Sequence, residues 1–217
     1  MKQNQAYIGL IAAVCLLMGS ALAAQSASRN AILLSATSPF EDLTEYALAA
    51  NTDGMKLALK AYNDQAAGVS EVLSAKARNE MDVLIAVIKK AEHQGDNETL
   101  ALKSVEAYRI LIQSLDVNSL VVPIQVSLLD YAGFKFMALL HAKATDWLAL
   151  EKVAEEAQQN WAAIHPRVTD KGLSDAVDTA IAGMYKACIE KNAGMAVFAA
   201  QIDLALVDLL EGYFERS

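Results

Sequence analysis

The chain of 217 residues contains only two cysteines, Cys15 and Cys188. Cys15 lies in an N-terminal segment that we expect to be removed, so the mature protein keeps a single thiol. One thiol excludes an internal disulfide, and a core of apolar side chains must therefore stabilise the fold. An exported domain of this size without disulfides is more typical of a bacterial periplasm than of eukaryotic secretion.

Proline is also rare and occurs only at positions 39, 123 and 166. Between these positions the chain consists largely of Ala, Leu, Glu, Lys and Gln, which are good helix formers. The alternation of apolar and polar residues that indicates strands is missing. The sequence therefore predicts an all-α helical bundle of about six to seven helices. The predicted helices span about 39–64, 70–93, 97–115, 124–144, 146–165, 171–191 and 194–215.

The sequence also lacks the motifs of common enzyme classes. It has no His-Glu-x-x-His, no Gly-x-Ser-x-Gly, no phosphate-binding glycine loop and no Cys-x-x-Cys. A di-iron bundle needs a glutamate three residues before its inward histidines, but Lys90, Ala138 and Ala162 stand there instead. These absences favour a non-enzymatic protein over an enzyme.

The N-terminus has the three-part order of a secretory signal peptide. Lys2 precedes an apolar run over 8–18, and Ala21-Leu22-Ala23 supplies the small residues that a signal peptidase needs. The run is about half of the roughly 20 residues that span a bilayer. We therefore expect residues 1–23 to be a cleavable signal peptide, cut after Ala23, and the protein to be periplasmic. The alternatives are a lipid anchor on Cys15 and a retained membrane anchor.

Removal of residues 1–23 leaves 194 residues with 17 basic and 26 acidic side chains, a formal charge of −9. This length is enough for one domain with a substantial core or for two small ones. The acidity disfavours nucleic acid and anionic lipid as partners. The negative charge is explained either by its contribution to solubility alone or by attraction to a basic protein partner.

The alanine-rich and serine-rich stretch 24–37 predicts a flexible leader before a single helical-bundle domain over 38–217. Ser38-Pro39-Phe40-Glu41 predicts the first helix start, with Ser38 as its cap. Thr52–Leu59 resembles Thr145–Leu150, which indicates two repeated halves, 38–116 and 124–215, of three helices each. Chance similarity between alanine-rich helices is the alternative.

Soft metal ligands occur on the fourth predicted helix. Asp130, Met137 and His141 share one face, and Met137 and His141 are one helical turn apart. A thioether and an imidazole at this spacing suit a copper ion or a haem pocket. The alternative is that Met137 fills the core and His141 faces water. A second soft pair, Met184 with Cys188, lies on a core stripe, where an inert buried thiol is expected.

Trp161 and His165 are one turn apart on the fifth predicted helix and form a candidate pocket for a flat apolar ligand. Large core residues at the same spacing are the alternative. The last predicted helix is apolar on several faces, which indicates a central place in the bundle or burial in a dimer. Asp203 and Asp208 argue against its spanning a membrane.

These observations predict an exported, non-enzymatic protein that binds another protein, associates with itself or serves as an accessory factor. The alternative function is a carrier or sensor of a small ligand, copper or haem in a cleft between helices. No cofactor is required by the sequence itself. No stable membrane span is expected after removal of the signal peptide.

Overall fold

The computed structural model describes residues 25–216, so the predicted signal peptide, its cleavage position and Cys15 lie outside the described residues. Throughout the described range the secondary structure is helical, without a strand. The predicted all-α bundle is therefore confirmed.

Nine helical segments follow one another along residues 25–216. After α1 (25–35) they are α2 (Ser38–Leu48), α3 (Thr52–Val72), α4 (Ala75–Gln94), α5 (Asn97–Gln113), α6 (Ile124–Leu140), α7 (Trp147–Ile164), α8 (Lys171–Glu190) and α9 (Ala193–Arg216). Short 3-10 helices, Val117–Ser119 and His165–Arg167, lie between α5 and α6 and between α7 and α8.

The first predicted helix, 39–64, is divided into α2 and α3. Ala50 has a positive φ of 52°, and Asn51 caps α3 by accepting a hydrogen bond from the Gly54 amide at 3.0 Å. A cap of this kind stabilises a separate helix start by about 1 kcal/mol. The start of α2 also differs from the expectation, because Ser38 lies inside the helix and Thr37 takes the cap position.

The prediction of a flexible leader over 24–37 is wrong for most of that stretch, because 25–35 forms α1. Leu33 is fully buried in the core. The Asn30 side chain donates to the carbonyl of Asp116 at 2.9 Å and accepts from its amide at 2.8 Å. Composition cannot reveal such a helix, since short helices depend on tertiary contacts for most of their stability.

Two apolar cores divide the bundle. The first is built from α1–α5 and receives Tyr131 and Ala138 from α6, whereas the second is built from α6–α9. In the first group α2 packs on α3 and α5, and α4 packs on α5. In the second group α6 packs on α7 and α9, and α8 packs on α9. The two groups therefore share these three pairings, whereas α7 also packs on α8 and α3 meets α4 only slightly.

These two groups coincide with the predicted halves 38–116 and 124–215, although each group contains four helices and not three. The similar stretches Thr52–Leu59 and Thr145–Leu150 both lie at the start of the second helix of a group. A duplication of the chain stays a prediction. The extra helix in the first half results from the break between α2 and α3.

The last helix, α9, has a central place in the second group, between α6 and α8. Its buried side chains include Leu206, Val207, Leu210 and Phe214. Among residues 25–216, α9 alone is long and apolar enough to cross a membrane, with a mean hydropathy of 1.7. The core helix of a bundle can have the same length and hydropathy as a membrane span. In this structure α9 packs on α6 and α8.

Candidate functional site

A cleft with a volume of about 960 Å³ opens where α1, α2, α6 and α9 meet. The helix α6 packs against both α2 and α9 and forms the floor of the cleft with Ser127, Asp130 and Phe134. Residues of α1 and of the connection between α5 and α6 complete the wall. The cleft therefore lies at the junction of the two helical groups.

Carboxylates make up most of the polar part of the lining of this cleft. There are seven of them, namely Glu41, Asp42 and Glu45 on α2, Asp130 on α6, and Asp208, Glu211 and Glu215 on α9. Spacings of three and four residues place those of α9 in one row, and Glu41 and Glu45 in another. Within the described chain no lysine or arginine lines the cleft, and none of the seven is in an ion pair.

Burial, together with repulsion between neighbouring carboxylates, raises the pKa of several carboxyls around the described cleft. Burial raises the pKa of Glu41 to about 7, and repulsion from Glu211 and Asp42 adds to the increase. Burial also raises the pKa of Asp130 well above its usual value, with further repulsion from Glu41. The pKa of Glu211 is raised by burial and then by Asp208. Uptake of a cation would reverse these shifts, because a positive charge favours the ionised form.

Asp203 lies behind the cleft, inside the interface between α6 and α9. Its side chain is 1% exposed, and Oδ2 has no hydrogen-bond partner among residues 25–216. Gly133 of α6 leaves room for it, because a Cβ at that position would lie 3.1 Å from Oδ2 and 2.7 Å from Cδ2 of Leu204. Desolvation raises the pKa of Asp203 to about 7, and repulsion from Asp203 contributes to the raised pKa of Asp130.

The structure separates the residues that the sequence proposes as metal or haem ligands. Asp130 lines the cleft, but Met137 and His141 do not. Met137 is half-buried against the second core, and His141 is exposed at the end of α6, with Nδ1 2.9 Å from the Met137 carbonyl oxygen. In the described part of the chain no three His, Cys, Asp or Glu side chains form a metal site. Copper or haem binding at Met137 and His141 stays a prediction.

Trp161 and His165 do lie together, with ring centroids 5.1 Å apart and planes at 83°. Trp161 is 1% exposed, and its indole Nε1 donates to Oδ1 of Asp178 at 2.7 Å. The imidazole Nε2 of His165 lies 3.8 Å from the other oxygen of Asp178. Trp161 is part of the second apolar core, and none of the three residues of this cluster lines the acidic cleft. Ligand binding by Trp161 and His165 stays a prediction.

The thiol of Cys188 is buried in the second core beside Met184, one helical turn away. Burial, with a smaller contribution from Glu151, raises its pKa to about 11. A protonated thiol surrounded by apolar side chains is a poor nucleophile and a poor metal ligand. Cys188 therefore acts as a core residue.

Sequence reasoning did not find the cleft because its carboxylates resemble an ordinary solvated helix surface. The sequence alone places Glu41 in the first turn of a helix and treats Asp208 only as evidence against a membrane span. A usable signal was nevertheless present in the acidic row Asp208, Glu211 and Glu215, which has no basic residue one turn away within 203–215.

The volume of the cleft falls within the range of small-molecule sites, which is roughly 300–1,000 Å³. Its lining combines apolar side chains with groups of a single charge sign.

Comparisons of this chain with protein families, with curated proteins and with solved structures found no match.

Proposed function

We propose that this protein is an exported, non-enzymatic binding protein whose acidic cleft holds a positively charged ligand. The observation that supports the proposal is the set of seven carboxylates around a cleft of about 960 Å³. Carboxylates that repel one another in a concave site with apolar walls concentrate counter-ions more strongly than a flat surface does. A cationic ligand would thus both neutralise the cleft and be attracted to it.

Binding would change the protonation of the cleft. Glu41 has a pKa of about 7 in the folded protein, so a large part of it is protonated at neutral pH. A cation bound beside Glu41 and Asp130 favours their ionised forms, so protons leave as the ligand enters. Calorimetry in buffers of different ionisation enthalpy detects such proton release, because the heat of binding then depends on the buffer.

The lining of the cleft disfavours nucleophilic catalysis. Among the described residues around the cleft there is no histidine, cysteine or lysine, so carboxyl groups are the main titratable groups available. Nucleophilic catalysis needs a hydroxyl or thiol beside a base, and the lining brings no such pair of residue types as Ser and His together.

Isothermal titration calorimetry with the protein lacking residues 1–23 tests the proposal. Organic cations and divalent metal ions are titrated at low and at high salt. We expect binding that weakens as salt increases and that is lost in the double variant Asp130→Asn with Glu211→Gln. Glu71→Gln is the matched control, since Glu71 is an exposed acid on α3, away from the cleft. If no cation binds in a manner that depends on Asp130 and Glu211, the proposal is wrong.

A protein partner, including a second copy of this chain, is the second candidate function. It is favoured by exposed apolar side chains near the turn between α8 and α9, where Ile189 is 75% exposed and Phe198 is 64% exposed. Large exposed apolar side chains are a feature of many interaction surfaces. Light scattering over a range of concentrations tests self-association, and a monomer throughout would exclude it.

A further inference from the structure

We infer that a small cavity between α3 and α4 binds a monocarboxylate with an apolar body. The cavity has a volume of about 210 Å³. It shares no lining residue with the acidic cleft, so the inference goes beyond the proposed function. Three features of the cavity lead to it, namely hydrogen-bond donors without partners, a net positive charge and apolar walls.

The cavity exists because α3 and α4 diverge after a tight connection. Leu73 and Ser74 join the two helices, which then meet only slightly. The lining comes from 62–73 on one side and from 78–89 on the other. Within each of these stretches the lining residues recur after three or four positions, which places them on one helix face. Two facing helix surfaces therefore enclose the cavity.

Arg78 brings an incompletely bonded guanidinium group to this cavity. Its Nε is buried and has no hydrogen-bond partner among residues 25–216. Nη2 donates to the carbonyl of Leu73 at 3.4 Å, and Arg78 is in none of the ion pairs of the described chain. A buried donor without an acceptor is unfavourable. The Nε group gains an acceptor when the guanidinium turns towards an oxyanion in the cavity, and carboxylates bind guanidinium groups through two parallel hydrogen bonds.

Tyr62 brings a second donor from the opposite wall. Its side chain is 5% exposed, and its hydroxyl makes no hydrogen bond within the described residues. Its ring packs on Phe40 with centroids 4.8 Å apart, which fixes the position of the hydroxyl. Burial, with repulsion from Asp82, raises the pKa of Tyr62 to about 12, so the hydroxyl keeps its proton at neutral pH. A protonated hydroxyl donates to a carboxylate oxygen.

The charge of the lining is opposite in sign to that of the whole chain. Arg78 and Lys89 are basic, Asp82 is acidic, and none of the three forms an ion pair within residues 25–216. The lining therefore carries one excess positive charge, whereas the chain has a formal charge of −8. A ligand with a single negative charge balances this excess.

The other walls of the cavity are apolar, and the space is small. Val69, Leu73 and Met81 are buried and line it together with Ile85. Water occupies about 30 Å³ per molecule, so the cavity has room for a ligand of about seven to ten non-hydrogen atoms. The carboxylate would contact Arg78 and Tyr62 while the hydrocarbon part contacts the apolar walls. An inorganic anion would leave these walls without a contact.

An NMR titration of backbone amide signals tests the inference on the protein without residues 1–23. The probes are 4-methylpentanoate, its neutral amide 4-methylpentanamide, and sodium sulfate. We expect 4-methylpentanoate to shift the amide signals of 62–89 and to bind at least about tenfold more tightly than the amide, because only the carboxylate forms charge-assisted hydrogen bonds. Sulfate should bind at least about threefold more weakly than 4-methylpentanoate, because it buries no hydrocarbon.

Three variants and a control locate the site. Arg78→Gln should weaken the binding of 4-methylpentanoate at least about tenfold, and Arg78→Lys at least about threefold, because lysine keeps the charge and loses the planar fork. Tyr62→Phe should weaken binding about threefold, since it removes only the hydroxyl. Lys90→Gln is the matched control, because Lys90 is an exposed cation on α4 that does not line the cavity. Circular dichroism at 222 nm confirms that each variant is folded.

The inference is wrong if 4-methylpentanoate shifts no amide signals at millimolar concentration. It is also wrong if the amide or sulfate binds as tightly as 4-methylpentanoate, because the charge or the apolar body then has no role. Equal weakening by Lys90→Gln and Arg78→Gln would assign the binding to net charge and not to the cavity. None of these results affects the proposed function, since the acidic cleft lies on other helices.

Discussion

Replacement of Asp203 by asparagine should stabilise this protein at pH 8. In the folded chain the carboxyl is 1% exposed, and burial raises its pKa from 3.8 to about 7. In the unfolded chain water surrounds the same carboxyl, which then ionises near its usual pKa of about 3.9. Asparagine has nearly the same shape and never ionises, so the variant avoids burial of a charge.

The sign of the effect follows from the protons bound in each state. Between about pH 4 and pH 7 the folded protein holds a proton on Asp203 that the unfolded chain has lost. The free energy of unfolding therefore falls as the pH rises through this window, and the loss is complete above pH 7. A shift of about three pH units at about 1.4 kcal/mol per unit corresponds to about 4 kcal/mol. Below pH 4 both side chains are neutral, and we expect the two proteins to agree to within about 1 kcal/mol.

Urea denaturation followed by circular dichroism at 222 nm measures this effect at intervals from pH 4 to pH 8. The wild type should lose stability across the window, and Asp203→Asn should lose about 4 kcal/mol less. Glu71→Gln is the control, because it removes one negative charge from an exposed position on α3. Parallel pH profiles for the wild type and Asp203→Asn would refute the reasoning. An equal gain in the control would assign the effect to net charge.

Three further predictions concern packing. Gly133→Ala should lower the free energy of unfolding by about 1–3 kcal/mol, because the new Cβ would lie 2.7 Å from Cδ2 of Leu204; thermal unfolding measures the loss. Trp161→Phe should cost about 3 kcal/mol in urea denaturation, since the core loses volume and Asp178 loses the indole donor at 2.7 Å. Asn30→Ala should cost about 2 kcal/mol and increase amide hydrogen exchange within α1, because its side chain bonds α1 to the connection before α6.

Each of these predictions has a contrary result. Unchanged thermal unfolding in Gly133→Ala would mean that α6 and α9 separate without cost. If Asp178→Ala costs as much as Trp161→Phe, the hydrogen bond and not the ring volume carries the effect. If exchange within 25–35 is unaffected by Asn30→Ala while exchange elsewhere increases, α1 is held mainly by Leu33 and not by the amide.

Most helices of this protein were predictable because the pattern that marks a buried face is local. Val177, Ile181 and Met184 recur at helical spacing, and all three are buried on α8. The same pattern hides the break between α2 and α3, since apolar residues continue on both sides of Ala50. The positive φ of Ala50 and the cap at Asn51 depend on local backbone geometry that a count of apolar residues does not contain.

The helix α1 shows the opposite case. Its alanine and serine content is compatible with a flexible leader, and only the bonds between Asn30 and Asp116, together with burial of Leu33, make it part of the fold. Asp116 is 86 residues away along the chain. Interactions over such a distance are not visible in the composition of the segment itself.

The sequence by itself determined the all-α class and the apolar stripes, because both follow from helix propensity and from a period of 3.6 residues. Only the tertiary structure decided which acids line the cleft. Asp203 and Asp208 are five residues apart on α9, yet one is buried against Gly133 and the other lies exposed along the cleft. The environment of a charge depends on which helices pack around it, and helix packing is a property of the whole chain.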